Sequence, residues 1–152
     1  MARIHYEVDG NIPAERFMAA LTDFSEERPS LWPNLSAKFY AVHDRGDTWA
    51  DVTEGTDVAG GVWARERYDW STPGTVRLTL VESPLFVPGT VIEYRVSDLP
   101  GRRCRVSVDF HRIGRGARGR LVGAVVQLTG ARQFSADLRQ TLARLEAQPA
   151  PR

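Results

Sequence analysis

The chain has a single cysteine, Cys104, among its 152 residues. One thiol excludes an intramolecular disulfide and cannot build a thiolate metal cage. Lysine is almost missing too: Lys38 stands alone beside nineteen arginines, which together make the 20 cations. Asp and Glu number 19, so the formal net charge is only +1. That balance argues against a general electrostatic grip on nucleic acid. No run of about 18 apolar residues occurs, so no membrane span is expected. Residues 1–10 lack the apolar core of a secretory signal, and the expected location is cytoplasmic. His5, His43 and His111 fall on three different predicted strands without H-x-H or H-E-x-x-H spacing, so no metal site is expected. Ser36 and Ser135 sit in no G-x-S-x-G, so neither reads as a hydrolase nucleophile. No cofactor is implied. Cys104, near a strand start, reads as a small buried hydrophobe.

What is present is a long helical pattern and a series of alternating ones. Leu121, Ala124, Leu128, Ala131, Phe134, Leu138, Leu142 and Leu145 recur at steps of three or four, which predicts one helix over about 119–147 with this set as its buried face. Residues 121–131 carry no charge, so that half is expected to be covered on all sides and to line a cavity or a partner surface. Ile4, Tyr6 and Val8 alternate with His5, Glu7 and Asp9, a half-buried first strand. Pro13 opens a short helix whose buried face is Phe17, Ala20, Leu21 and Phe24. Ser25, Glu26 and Glu27 read as the cap and acidic first turn of a second short helix, bracketed by Pro29 and Pro33. Trp32 in that turn is expected to plug one end of the core. From Ala37 the period becomes two. Strands are predicted near 37–44, 47–56, 61–70, 75–82, 90–98 and 103–113, separated by short Gly, Pro and Asp turns that imply antiparallel pairing. Gly114, Gly116 and Gly119 spell G-x-G-x-x-G, but no βαβ unit follows them. A glycine hinge is the better reading, and Arg115, Arg118 and Arg120 make it mildly anion-attracting. Composition and length suit one α+β domain over 1–147 with a tail at 148–152.

This order is one strand, two short helices, six strands and a long helix. A sheet of seven strands must curl, and only the long helix can cover its concave face. The arrangement resembles the helix-grip fold of the polyketide cyclase/dehydrase and lipid-transport superfamily, also called START-like or Bet v 1-like (SRPBCC). The residues that carry the resemblance are Asn11-Ile12-Pro13-Ala14, Trp32-Pro33, Arg67-Tyr68-Asp69-Trp70-Ser71 with Pro73-Gly74, and Ser83 to Gly89. The resemblance implies a cavity between sheet and helix for a hydrophobic or aromatic molecule, lipid-like or polyketide-like.

Alternation then sorts the strand faces. Val62, Ala64, Glu66, Tyr68 and Trp70 are expected inside, opposite Arg65, Arg67 and Asp69. Val76, Leu78 and Leu80 point inward, as do Tyr94 with Ile92 and Val96, and Val106, Val108 and Phe110. Asp109 and His111 read as a solvated surface pair. The expected ligand-binding set is Tyr40, Glu66, Tyr68, Leu78, Tyr94, Val108, Phe110, Leu121, Val125 and Leu128. Within it a desolvated Glu66 could move a proton while the Tyr68 hydroxyl steadies an oxyanion. The plainer readings are a salt bridge from Glu66 to an arginine and tyrosines that only pack. Three functions compete: a binder of a hydrophobic small molecule, a cyclase/dehydratase-like enzyme using the same cavity, and a ligand-sensing or stress-associated regulator. One carboxylate among phenols favours binding, because an enzyme needs two convergent groups. A homodimer is also admitted.

Overall fold

The computed structural model describes residues 1–149; Ala150–Arg152, the end of the expected tail, lie outside the described residues. Seven strands form one antiparallel sheet in the order β1-β7-β6-β5-β4-β3-β2. They are β1 Ala2–Gly10, β2 Ala41–Arg45, β3 Trp49–Thr56, β4 Val62–Asp69, β5 Thr75–Glu82, β6 Val91–Leu99 and β7 Arg103–Arg112. The helices are α1 Ala14–Leu21, α2 Arg28–Leu31 and α3 Gly116–Ala147. The sheet curves as its order demands, and α3 lies along it, against β1. This is the α+β helix-grip architecture.

Alternation put most strand faces where the charges require. Along β1, Ile4 and Val8 are buried while Arg3, His5, Glu7 and Asp9 meet water. Val106 and Val108 in β7 and Val76, Leu78 and Leu80 in β5 are buried on the same concave side. The turn from β6 to β7 needs left-handed backbone at Gly101 and Arg102, with φ of 82° and 58°. The main core joins these strands to Phe17 and Leu21 of α1 and Leu138, Leu142 and Leu145 of α3. Gly10 lets the chain leave β1 under α3, since a Cβ there would come 2.7 Å from Leu142. A smaller cluster of Leu80, Leu85 and Phe86 with Val62, Ala64 and Val122 lies near the start of α3.

Four expectations need correction. Residues 37–39 form a 3-10 turn rather than a strand, because the Ser36 side chain accepts a hydrogen bond from the Lys38 amide. The strand is therefore only β2, an exposed edge with polar His43-Asp44-Arg45, a composition that discourages further pairing. The second short helix starts at Arg28, with Pro29 inside its first turn and Ser25 outside it. α1 ends at Leu21, so Phe24 is buried from a loop. Asp109 pairs with His5 at 2.8 Å and with Arg95, and not with His111, which lies two residues along the same face.

The largest correction concerns α3. Its last four turns seal the core as expected, but its first half is turned the other way. Gly119, Gly123 and Gly130 are buried there, whereas Leu121, Val125 and Leu128 are exposed. The reason is distance. A Cβ at position 119 would collide with the Leu85 carbonyl oxygen, so only glycine lets the helix approach that close.

Candidate ligand cavity

A cavity of about 190 Å³ opens between the sheet and the middle of α3. Tyr6 of β1, Ile92 and Tyr94 of β6 and Phe110 of β7 form its floor, because these alternate positions all point to the concave face. Phe134, Asp137, Leu138 and Thr141 of α3 form the roof, at helical spacing along one face. Trp32, Pro33 and Asn34, in the turn after α2, close one side. Phe134 tilts against Phe110 and Tyr6, with ring centres 5.2 and 6.3 Å away.

The walls are mostly apolar with a few polar tips. The Tyr6 and Tyr94 hydroxyls lie close enough to influence each other. Burial pushes the Tyr94 phenol up to about 12 and Tyr6 well above the usual phenol range. Both are therefore neutral donors at ordinary pH. At the rim, the Asn34 amide donates to Asp137. The indole Nε1 of Trp32 is buried without a hydrogen-bond partner.

Of the ten residues expected to bind ligand, Tyr94 and Phe110 line this cavity. Leu78 and Val108 are packed in the core. Tyr40 lies at an outer groove with Phe24 and Val42, its hydroxyl donating to the Ser25 carbonyl at 3.0 Å. Leu121, Val125 and Leu128 face away from the sheet. Tyr68 is buried, and its hydroxyl donates to Glu54.

Glu66 faces inward, as its alternation requires, but it meets Arg112 there and not a ligand space. The two form a buried ion pair, with 8% and 4% of their side chains exposed. Arg112 also donates to the Thr90 carbonyl at 3.2 Å. In β4, Glu66 stands between Ala64 of the smaller cluster and Tyr68 of the main core, so the pair separates the two. A carboxylate tied to a guanidinium in this way is a poor acid or base.

A second buried cation was invisible in the sequence. Arg28 donates to Glu54 at 2.9 Å and to Tyr68, and its Nη1 donates to the carbonyls of Ala20, Leu21 and Asp23. It therefore caps the end of α1. Its guanidinium lies 4.5 Å over the Phe24 ring and 5.4 Å from that of Trp32. The positive charge so held fixes the Trp32 turn, which walls the cavity. Cys104 is buried in the core, and burial raises its thiol pKa.

No family model matches the chain, and no curated protein sequence does. Solved structures match over nearly its whole length. The ZhuI aromatase/cyclase from Streptomyces sp. R1128 superposes with a TM-score of 0.77 at 19% identity, over 95% of this chain and 93% of that one. A START superfamily protein from Mycobacterium smegmatis gives 0.77 at 12% identity, over 96% and 98%. Truncated norcoclaurine synthase from Thalictrum flavum gives 0.69 at 13%, over 97% and 94%. At such identities the likeness establishes the fold. The chain has the helix-grip fold of these structures. No described helix is long and apolar enough to cross a membrane.

Proposed function

We propose that this protein binds a small, largely apolar molecule with one aromatic ring or a comparable volume, in the cavity under α3. The carrying observation is the cavity of about 190 Å³ walled by Tyr6, Tyr94, Phe110 and Phe134. An engineered apolar cavity of about 150 Å³ takes benzene, whereas drug-sized ligands use roughly 300–1,000 Å³. A ring-sized occupant fits the space; an acyl chain or a multi-ring polyketide requires α3 to lift. Stacking surface comes from the phenylalanines and the two tyrosines. Burial keeps the Tyr94 phenol protonated, so its hydroxyl can donate to a ligand oxygen. The relatives of this fold that are named aromatase/cyclase or norcoclaurine synthase lend support to an aromatic ligand.

The enzymatic reading rests on weaker ground. Glu66, the acid/base it needs, is paired with Arg112 outside the cavity lining. Binding is therefore the reading we favour, over both a cyclase/dehydratase and a ligand-sensing regulator. Calorimetric titration with phenol, p-cresol and indole tests it. Wild-type protein is expected to take up at least one of them. Ile92→Trp, which fills the cavity, is expected to abolish uptake, and Tyr94→Phe to weaken the phenols by about tenfold, the cost of one lost hydrogen bond of about 1.4 kcal/mol. Failure of the wild type to bind any of the three probes ends this reading.

A further inference from the structure

The outer face of α3 carries a stripe that the fold does not use. Leu121, Val125 and Leu128 are 67%, 53% and 85% exposed. They stand at i, i+4 and i+7, so they form one narrow ridge. The opposite side of the same turns is glycine, with Gly119, Gly123 and Gly130 buried. This stretch hides its smallest residues and presents its largest to solvent. Two further apolar side chains are exposed at the N-terminal end of the helix. Val87 and Ile113 are 36% and 37% exposed, and the Val87 amide donates to the Ile113 carbonyl at 2.9 Å.

The charge around the ridge has one sign. From Ile113 to Ala136 the chain has Arg115, Arg118, Arg120 and Arg132, all exposed, and no aspartate or glutamate. Asp57 begins the turn whose Gly60 lies beside Arg118. We propose that this face docks on an anionic lipid bilayer, with the leucine–valine ridge seated among the headgroups and the arginines on lipid phosphates.

Charge complementarity chooses between occupants. A second copy packed antiparallel would bring Arg118 and Arg120 against Arg132, and a parallel copy would set each arginine against itself. A nucleic acid would satisfy the arginines and leave the ridge in water. An anionic bilayer accepts both parts, because apolar side chains enter at the headgroup level while guanidinium groups stay at the phosphates. Arginine suits that position, since its fork matches phosphate oxygens and its stem lies along apolar surface. The ridge stands proud of the helix and is not a groove, so it can insert without the protein reshaping.

Co-sedimentation with vesicles of equal parts phosphatidylcholine and phosphatidylglycerol tests this, with pure phosphatidylcholine vesicles as the neutral reference. The wild type is expected to bind the anionic vesicles, less so at about 0.5 M salt where screening is strong, and to ignore the neutral ones. The variant Leu121→Gln/Val125→Gln/Leu128→Gln is expected to lose at least about tenfold in partitioning. Its circular dichroism and Tm should match the wild type, because those side chains touch no core. Arg115→Gln/Arg120→Gln/Arg132→Gln is expected to lose anionic binding by a similar factor and supplies a second variant should the first misfold. A wild type that stays in the supernatant with both vesicles overturns the proposal and passes the face to an acidic protein partner. So does an apolar variant that sediments like wild type. A wild-type dimer that the apolar variant dissolves would assign the face to a second copy instead.

Discussion

The guanidinium of Arg28 caps α1, neutralises Glu54 and supports three aromatic rings, so its loss strikes several elements together. Arg28→Met keeps most of the stem but leaves Glu54 and the Tyr68 hydroxyl without a counter-charge in a buried site. Stranding one member of such a pair costs about 3–5 kcal/mol. Chemical denaturation should register that loss as a lower midpoint, and a change below about 1 kcal/mol would mean that water or Tyr68 satisfies Glu54 unaided. Glu66 and Arg112 invite the complementary test. Glu66→Gln should destabilise by a similar 3–5 kcal/mol while leaving phenol uptake within about twofold of wild type. The joint change Glu66→Leu/Arg112→Leu removes both charges and should recover most of the loss, because an apolar replacement of a buried pair is often neutral. Were Glu66→Gln to abolish binding with stability intact, the carboxylate would be acting on the ligand after all. The sequence admits a salt bridge from Glu66 to an arginine, and one forms, but neither Arg112 as its partner nor the Arg28–Glu54 pair can be named from the sequence. The partners lie 26 and 46 residues apart, and nothing local in the sequence marks a buried charge as paired.

At the scale of elements, α3 shows how a correct period can carry a wrong phase. Spacing of three and four established a helix of the right extent, but the apolar stripe continues through Leu121 and Leu128 on a side the sheet never reaches. What faces the sheet there is chiefly glycine, with Val122 against the smaller cluster, and hydrophobic patterning gives glycine no weight. Close approach, not burial of bulk, decides the orientation of that half. Gly119 and Gly123 should accordingly respond differently to alanine. Gly119→Ala forces a Cβ into the Leu85 backbone and should destabilise by about 1–3 kcal/mol, the usual cost of overpacking. Gly123 has open space where its Cβ would go, and Gly123→Ala should stabilise by about 1 kcal/mol through helix propensity alone. Thermal melts of the two variants check the contrast; equal effects would mean that Gly119 does not set the helix height. The strands were far more legible. Inward valines and outward arginines fixed β4, β5 and β7 by alternation alone, and the same rule found Tyr94 and Phe110 for the cavity. It also put Tyr6 on the right face without marking it as a site residue. Trp32, Asn34, Phe134, Asp137 and Thr141 escaped because a loop and a helix meet the sheet there, and no single period spans that junction.

Taken as a whole, the molecule is held around phenols that cannot easily ionise. All four tyrosines have raised pKa values, with burial as the leading cause, and Tyr68 and Tyr6 lie well above the ordinary range while Tyr94 reaches about 12. In the unfolded chain each would titrate near 10. Between about pH 10 and about 12 the unfolded state therefore binds fewer protons than the native one, and stability falls as pH rises. Arg112 acts in the opposite direction. Burial lowers it below the value of an unfolded arginine, but the Glu66 carboxylate paired with it holds the proton on, so its opposing contribution is small. One cation opposes at least three strongly shifted phenols, and the tyrosines prevail. Stability should stay level up to about pH 9 and then fall steeply. Apart from the share of Tyr40, which lies in the outer groove, the phenolate absorbance should remain small until the fold is lost, then appear in one step together with the loss of circular dichroism. Tyr6→Phe/Tyr94→Phe removes two of the groups that drive this, so its Tm should fall less between pH 9 and pH 11 than that of the wild type, whatever its starting value. A phenolate signal that rises smoothly near pH 10 over an intact fold would show that water reaches these hydroxyls freely. The cavity would then be an open, hydrated cleft, and a ring-sized apolar ligand would lose the dry walls on which its binding depends.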